Sequence, residues 1–503
     1  MKALSNKSSV LAIVEEAQEG VPVKPTSADQ YMALQDGFAL TPQFETLENR
    51  ELRDSIGRAK QILGRENPTA STDHYFRNSG IEGQKPDFAL LLKSAMGEET
   101  VFAAEKVTVA GSTVAKLKLA NGETVGCKRG QFLLIKDGAN GYKVRPVLSV
   151  NAVTHELDLG FAVPVAPAAG VNLGKNILYE PKNEDHPTLS LWLYRANGGG
   201  VELITGARVV EISTDYTAGQ LINASFSLAG NGYYFNPIEI ALAKRWLDFE
   251  DAGGARSVQV PARMYKEPED CAEAIQAAMN ASGSADVFEV EYSHNTGKFT
   301  FRSNGVTFKL LWASGANAAD SIGAAIGAGA ADQTAALEYE LANAIELKSP
   351  FTPDLDDTDP LAAKDNEVLL GDVNGHVAFN ASRVNMSISL TKSDLPDVSA
   401  ESGNAGSLFT AREVRYTISA YMKKYDASQF RRYHKGMKTG LMYTAGKKNG
   451  GNWVPGTVIS SYVPSGTITS YSFTDEEGIA KLELELTAYV ENAGEGEIFI
   501  GLL

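Results

Sequence analysis

Thr205–Gly230 reads TGARVVEISTDYTAGQLINASFSLAG. The spacing predicts two strands joined by a loop at Tyr216–Gly219. In Leu221–Leu228, Ile222, Ala224, Phe226 and Leu228 alternate with Asn223, Ser225 and Ser227. Successive side chains on a strand point to opposite faces, so one face is apolar and the other carries small uncharged polar groups. The pattern recurs in Arg383–Thr391, with Asn385, Ser387 and Ser389 between apolar residues. It recurs in Arg412–Lys423 with Thr417 and Ser419, and in Lys481–Tyr489 with Glu483 and Glu485. These runs predict strands of one antiparallel sheet, packed by one face and wetted on the other.

The wet face departs from an ordinary mixture of Lys, Glu and Thr. Two runs are almost purely Asn, Ser and Thr, and the others lean acidic. Such a surface is wet without being sticky and suits the lining of a channel. The same alternation also fits a half-exposed sheet of modest charge. The residues read as lining candidates are Glu211, Ser213, Asn223, Ser225, Ser227, Asn385, Ser387, Ser389, Thr417, Ser419, Glu483 and Glu485.

The chain has 503 residues, 43% of them hydrophobic, with 47 glycines and a formal net charge of -16. That charge argues against wrapping nucleic acid, which needs clustered Lys and Arg, but permits DNA to pass without adhering. Cys127 and Cys271 are the only cysteines, too few for a disulfide framework, and are read as small buried side chains. Val10–Val14 is too short for a signal peptide, and no run approaches a membrane span. The protein is expected to be soluble when made.

In order, residues 1–30 read as an extended arm. Glu45–Ser55 reads as a short helix and Pro68–Ser71 as loop. Asp87–Met96 reads as a helix with Asp87 as N-cap and Gly97 as its stop. Lys106–Leu119, Phe132–Lys136, Tyr142–Val150 and Glu156–Leu159, divided by Asn-Gly and Asp-Gly turns, predict a small barrel-like unit. Glu267–Asn280 is helical, with Ala272, Ile275, Ala278 and Met279 on one face. Val287–Tyr292, Lys298–Phe301 and Val306–Trp312 read as a hairpin and third strand, followed by a small helix at Asp320–Ile326. Ala427–Met437 reads as a helix and Glu497–Leu503 as a closing strand.

No pattern points to catalysis. The aspartates at 354, 356, 357 and 359 lack EF-hand spacing and read as a solvated acidic loop. Gly170–Lys175 is one residue short of a phosphate loop. The six histidines are scattered. Trp192 and Trp312 lie in apolar runs and read as core rather than as a sugar platform. Arg431, Arg432, Lys435, Lys447 and Lys448 form a basic cluster suited to an acidic neighbour. No cofactor and no metal are expected.

Four stretches resemble the major tail tube protein of long-tailed bacteriophages. They are Leu34–Gly37 through Ile81–Gly83 to Leu90–Ser94; Gly206–Val209 to Phe226–Gly230; Arg383–Ile388 with Arg412–Tyr425; and Tyr462–Pro464 leading to Lys481–Leu486. The resemblance implies a mainly β fold: an antiparallel β-sandwich tube domain flanked by a helix and contributing to an oligomeric β-barrel. Six subunits close a hexameric ring, rings stack through a long loop and terminal arms, and double-stranded DNA crosses the lumen. Implied partners are the chain itself and tape-measure, terminator and tail-tip proteins, with a sheath where one is present. No membrane is involved. The expected place is the virion tail, after synthesis in the host bacterial cytoplasm, with no enzymatic role. The implied division is 1–97, 181–235 and 346–503 for the tube domain, with a small β insertion at 98–180 and a small α+β insertion at 236–345 on the tube exterior. Some relatives carry two tube folds per chain and form trimeric rings, but the repeat between Ala207–Ser213 and Ser382–Ser389 is too weak to claim that here, so hexamer and pseudo-hexameric trimer both stay open. The reading from another class is a phage surface-binding or carbohydrate-active protein, like an adhesin or tail fibre.

Overall fold

The structure, a computed structural model, describes residues 6–503 except 50–59, 197, 357, 401, 422–426 and 491–495. It is mainly β, built from several antiparallel sheets. The largest contains eighteen strands. In the first half of the chain these are β1 (Val10–Glu15), β2 (Tyr31–Met32), β3 (Ala39–Thr41), β4 (Thr69–Tyr75), β5 (Gly97–Phe102), β6 (Asn176–Pro181), β7 (Leu189–Arg195), β8 (Gly200–Thr217), β9 (Asn223–Ala229) and β10 (Gly232–Phe235). In the second half they are β11 (Glu367–Gly371), β12 (Val377–Ala378), β13 (Ala381–Pro396), β14 (Asn404–Tyr421), β15 (Thr439–Ala445), β16 (Ile459–Glu476), β17 (Ile479–Ala488) and β18 (Phe499–Leu502).

The eighteen-residue strands β8 and β16 organise the sheet. The first half of β8 pairs with β7 and β10, and its second half with β9 and β13. The first half of β16 pairs with β15 and β18, and its second half with β17. The second halves join β3, β4, β9, β13, β14 and β17 into one continuous layer. One core contains residues from both halves, among them Leu193, Ile204, Phe226, Ile388, Val463 and Leu484.

Helix α1 spans Ala89–Met96 and buries Leu91, Leu92, Ala95 and Met96. Its N-cap is Phe88, with no side-chain cap bond; Asp87 instead accepts from the Ala33 amide at 3.2 Å. Gly97, at φ 96°, ends it as expected, because a side chain there would be strained.

Several other expectations change. The apolar run of the supposed N-terminal arm is a core strand: Leu11 to Val14 are all buried and pair with β7. Phe44–Leu47 is a strand rather than the start of a helix, while 50–55 lie outside the described residues. Pro68–Ser71 is not loop: Thr69 opens β4. The inward positions of β4 are Ala70, Thr72 and His74, which hid it from a hydropathy reading. Lys106–Leu119 is broken into Lys106–Val107 and Lys116–Lys118.

Between β5 and β6, a six-stranded sheet is closed by a bridge between Thr108 and Leu119, which joins its two outer strands. Leu117, Leu133, Ile135, Leu157 and Leu159 fill it. Residues 238–345 build a separate core under helix α2 (Pro268–Asn280), whose buried face is Cys271, Ala272, Ile275 and Met279. The third strand of the hairpin there is Glu338–Glu340; Lys309–Leu310 joins another sheet. Helix α3 spans Ala427–His434.

Candidate channel-lining face

The register of the long layer brings all twelve candidate residues onto one face. Residues directly opposite in a sheet share a face. In one row, Ser71 faces Ser227, Ser227 faces Glu211, and Glu211 faces Ser389. In the next, Asp73, Ser225, Ser213, Ser387, Arg415 and Thr487 follow one another. In the third come Tyr75, Asn223, Asp215, Asn385, Thr417, Glu485 and Ser470. A fourth joins Arg383, Ser419, Glu483 and Ser472. The opposite face carries Ile212, Phe226, Ile388, Val414, Ile418 and Leu484, each at most 2% exposed. The alternating residue Met422 lies outside the described residues.

Exposure varies along the polar face. Glu211, Ser213, Ser389 and Thr417 are exposed, and Asn223, Ser225, Ser227, Asn385, Ser387, Glu483 and Glu485 are half-buried. Ser419 is buried, which an alternating pattern could not indicate. Short hydrogen bonds hold the small polar groups: Ser225 donates to the Asp73 carboxylate, and the Gln35 amide donates to Asn223 Oδ1 at 2.9 Å.

The face is more highly charged than the Ser and Asn runs suggest. Among the described residues, Asp73, Glu211, Asp215, Glu413, Glu476, Glu483 and Glu485 stand among Arg383, Arg415 and Lys481, so carboxylates outnumber cations. Arg383 clasps Asp215 at 2.8 Å across β8 and β13. Arg415 reaches Glu413 at 2.6 Å and Glu485 at 3.5 Å. At the outer end, Lys481 bonds Glu476 at 2.9 Å and holds its carboxyl below the usual range. Beneath the face, burial pushes the Tyr416 phenol up, and its hydroxyl donates to Ser461 Oγ at 2.7 Å.

Asp73 and its strand were missed because no apolar run marks β4. Its buried His74 faces the Asp87 carboxylate at 3.2 Å, so a polar pair occupies a core position.

The other sequence features resolve as structure. Trp192 and Trp312 are buried, at 3% and 7% exposure, and Trp453 is buried too. Asn172–Leu173, inside the phosphate-loop-like stretch, is a strand of the six-stranded unit. Asp356 is half-buried and accepts from the Asp87 amide at 2.9 Å, so the acidic loop is anchored there; Asp357 lies outside the described residues. The basic cluster finds acids within its own chain: Arg432 pairs with Asp372 at 3.1 Å and Lys447 with Asp359 at 3.0 Å. Cys271 is buried but Cys127 only half so. Among the described residues, no three His, Cys, Asp or Glu side chains gather as a metal site.

Residues 6–238 match the family described as phage tail tube protein. The match stops just past β10, so β11–β18 lie beyond it. No curated protein matches the chain. Two solved structures resemble parts of it. The tube-terminating cap of the anti-feeding prophage is 16% identical with a TM-score of 0.23, over 31% of this chain and 99% of that one. The SPP1 tail tube is 16% identical with a TM-score of 0.19, over 25% and 75%. Both scores are too low to weigh on the fold. The family match is what carries the likeness: residues 6–238, just under half of the chain, are similar to the phage tail tube proteins, a family of structural tail proteins.

Proposed function

We propose that the chain polymerises as stacked rings into the tail tube, and that the polar face of β4, β8, β9, β13, β14 and β17 lines the channel through which double-stranded DNA is ejected. The observation that carries this is the gathering of all twelve Ser, Asn, Thr and Glu candidates on the face opposite the core. A surface of small hydroxyls and amides with excess carboxylate wets the channel and repels phosphate, so DNA slides instead of binding. The six-stranded unit within 98–180 and the module within 236–345 carry their own cores and sit outside the eighteen-strand sheet, which suits a place on the outer wall. The β13–β14 hairpin, whose first strand ends at Pro396 and whose second begins at Asn404, is the element long enough to reach an adjacent ring. Tape-measure, terminator and tail-tip proteins would cap and fill such a tube.

Negative-stain electron microscopy of purified protein tests this. Hollow rods or rings are expected. A dispersed monomer that binds polysaccharide would overturn it.

A further inference from the structure

Three distant segments converge on one amide. Asn231 sits in the turn between β9 and β10 and is 4% exposed. Its Oδ1 accepts from the Lys392 ammonium of β13 at 2.7 Å, and its Nδ2 donates to Glu19 Oε1 at 2.7 Å. The Lys392 side chain is itself 8% exposed, and Asp394 Oδ1 stands 2.7 Å from its Nζ. Glu19 is held from its other sides: it accepts from Ser407 Oγ at 2.6 Å and from Arg208 Nη2 at 2.8 Å. Gly206 of β8 presses on the amide from behind, so closely that a Cβ there would come within 2.9 Å of Asn231 Nδ2. A cavity of about 210 Å³ adjoins the amide, lined also by Glu19, Thr205, Gly232, Ser402 and Asn404.

A buried lysine that needed only a counter-ion has one in Asp394. The amide held between the ammonium and a second carboxylate is more than an ion pair requires. It is the set of groups that amide transfer requires: an amine beside a carbonyl, a base on the amine, and an anion beside the nitrogen that must leave.

The geometry points to a covalent isopeptide bond between Lys392 and Asn231, formed within the folded chain with release of ammonia. Asp394 takes one proton from the Lys392 ammonium. The freed Nζ electron pair bonds to Asn231 Cγ, and the carbonyl π pair moves onto Oδ1. A second Nζ proton passes to Nδ2. The pair on Oδ1 then returns, the Cγ–Nδ2 bond breaks, and its electrons leave with ammonia. Asp394 gives its proton to that ammonia, so an ammonium ion and a secondary amide replace the lysine ammonium and the primary amide. Glu19 faces the nitrogen that turns positive before it departs and stabilises the charge there. Burial keeps water, the competing nucleophile, from the carbonyl. The link joins positions 161 residues apart and lies three residues beyond Ser389, at one end of the seam between β8 and β13. It fastens that end by a bond that denaturant does not open.

Intact mass spectrometry of the unfolded full-length protein tests this. A mass one ammonia below that of the sequence is expected. Trypsin should then release residues 209–244 joined to residues 384–412, because an acylated Lys392 is not cut. Lys392→Arg keeps the charge but lacks the attacking amine, and is expected at full mass with the two segments separate. Asp394→Asn keeps the shape and removes the base, and its bonded fraction is expected to fall by about tenfold or more. Wild-type protein of full mass overturns the bond. Ammonia lost equally from Lys392→Arg also overturns it, since the loss then comes from ring closure of Asn231 onto the Gly232 amide nitrogen. An unchanged bonded fraction in Asp394→Asn overturns the role given to Asp394. None of these readouts depends on assembly, so each leaves the tube reading as it stands.

Discussion

The β8–β9 hairpin and the β16–β17 hairpin share their pairing, their bulge and their buried parity, yet their wet faces differ. Ser227, Ser225 and Asn223 stand on β9 where Glu485, Glu483 and Lys481 stand on β17. On the buried side, Phe226 and Leu484 correspond, at 1% and 2% exposure. The core side and the bulge therefore specify this hairpin, while the wet side is left to whatever the surface must do. A one-residue slip would turn every core residue outward, and that penalty keeps the register fixed while the polar residues diverge.

The largest effect tests whether the two buried sides are equivalent. Phe226→Asp and Leu484→Asp each place an unpaired charge in the core, at a cost of several kcal/mol. Both should abolish the cooperative unfolding transition seen by circular dichroism; a tolerated Leu484→Asp would break the equivalence.

A second effect concerns what the first half of the large sheet has and the second lacks. Lys128, in the six-stranded unit, bonds Glu98 of β5 at 2.8 Å and Glu180 of β6 at 2.7 Å. Hydrogen bonds from Lys128 and then Lys182 lower the Glu98 carboxyl to about 2. A carboxyl held this low stabilises the fold above its ordinary pKa, near 4.5, and loses that contribution as pH falls toward about 2. Glu98→Gln should therefore cost about 1–2 kcal/mol at neutral pH. The gap from wild type in thermal melts should close in acid. A gap independent of pH would exclude the ion pairs as its source.

A smaller change is expected at the internal seam. Arg383→Ala removes the exposed clasp to Asp215 and should cost about 0.5 kcal/mol, vanishing in high salt. A larger loss in denaturant titrations would mean that charge, and not strand pairing, holds β8 and β13 together.

The smallest effect on stability separates folding from function on the wet side. Ser225→Lys with Ser387→Lys should change stability by less than about 0.5 kcal/mol and leave tubes intact. DNA release from particles carrying both should be slower, as timed by fluorescence after triggering ejection. Unchanged release would place this face away from the channel.

Much of this was legible in the sequence. The alternation in Leu221–Leu228, Arg383–Thr391, Glu413–Tyr421 and Leu482–Leu486 assigned the core and wet positions there except Ser419, because half-buried strands write their two faces into every second residue. Glycine and Asn-Gly turns marked the six-stranded unit, and helical spacing marked α2. β4 was not legible, since His74 and Thr72 fill core positions that hydropathy reads as surface. β1 read as an arm because the breakers at Glu19–Pro25 outweighed the short apolar run before them. The weak likeness of Ala207–Ser213 to Ser382–Ser389 is not the one the pairing shows: the bulge and register around Ala207–Ser213 match those around Gly466–Ser472.

By itself, the sequence determined which side of the alternating strands β9, β13, β14 and β17 is dry, because that depends only on residues two apart. The order of strands in the layer, the burial of Ser419 and the matching registers of the β8–β9 and β16–β17 hairpins were decided by tertiary structure alone. Those depend on pairings between segments as distant as Asp215 and Asn385, whose polar side chains would fit many partners. Strand pairing is made by backbone groups that every residue shares, so its partners are chosen by the packed core and not by the residues that happen to face water.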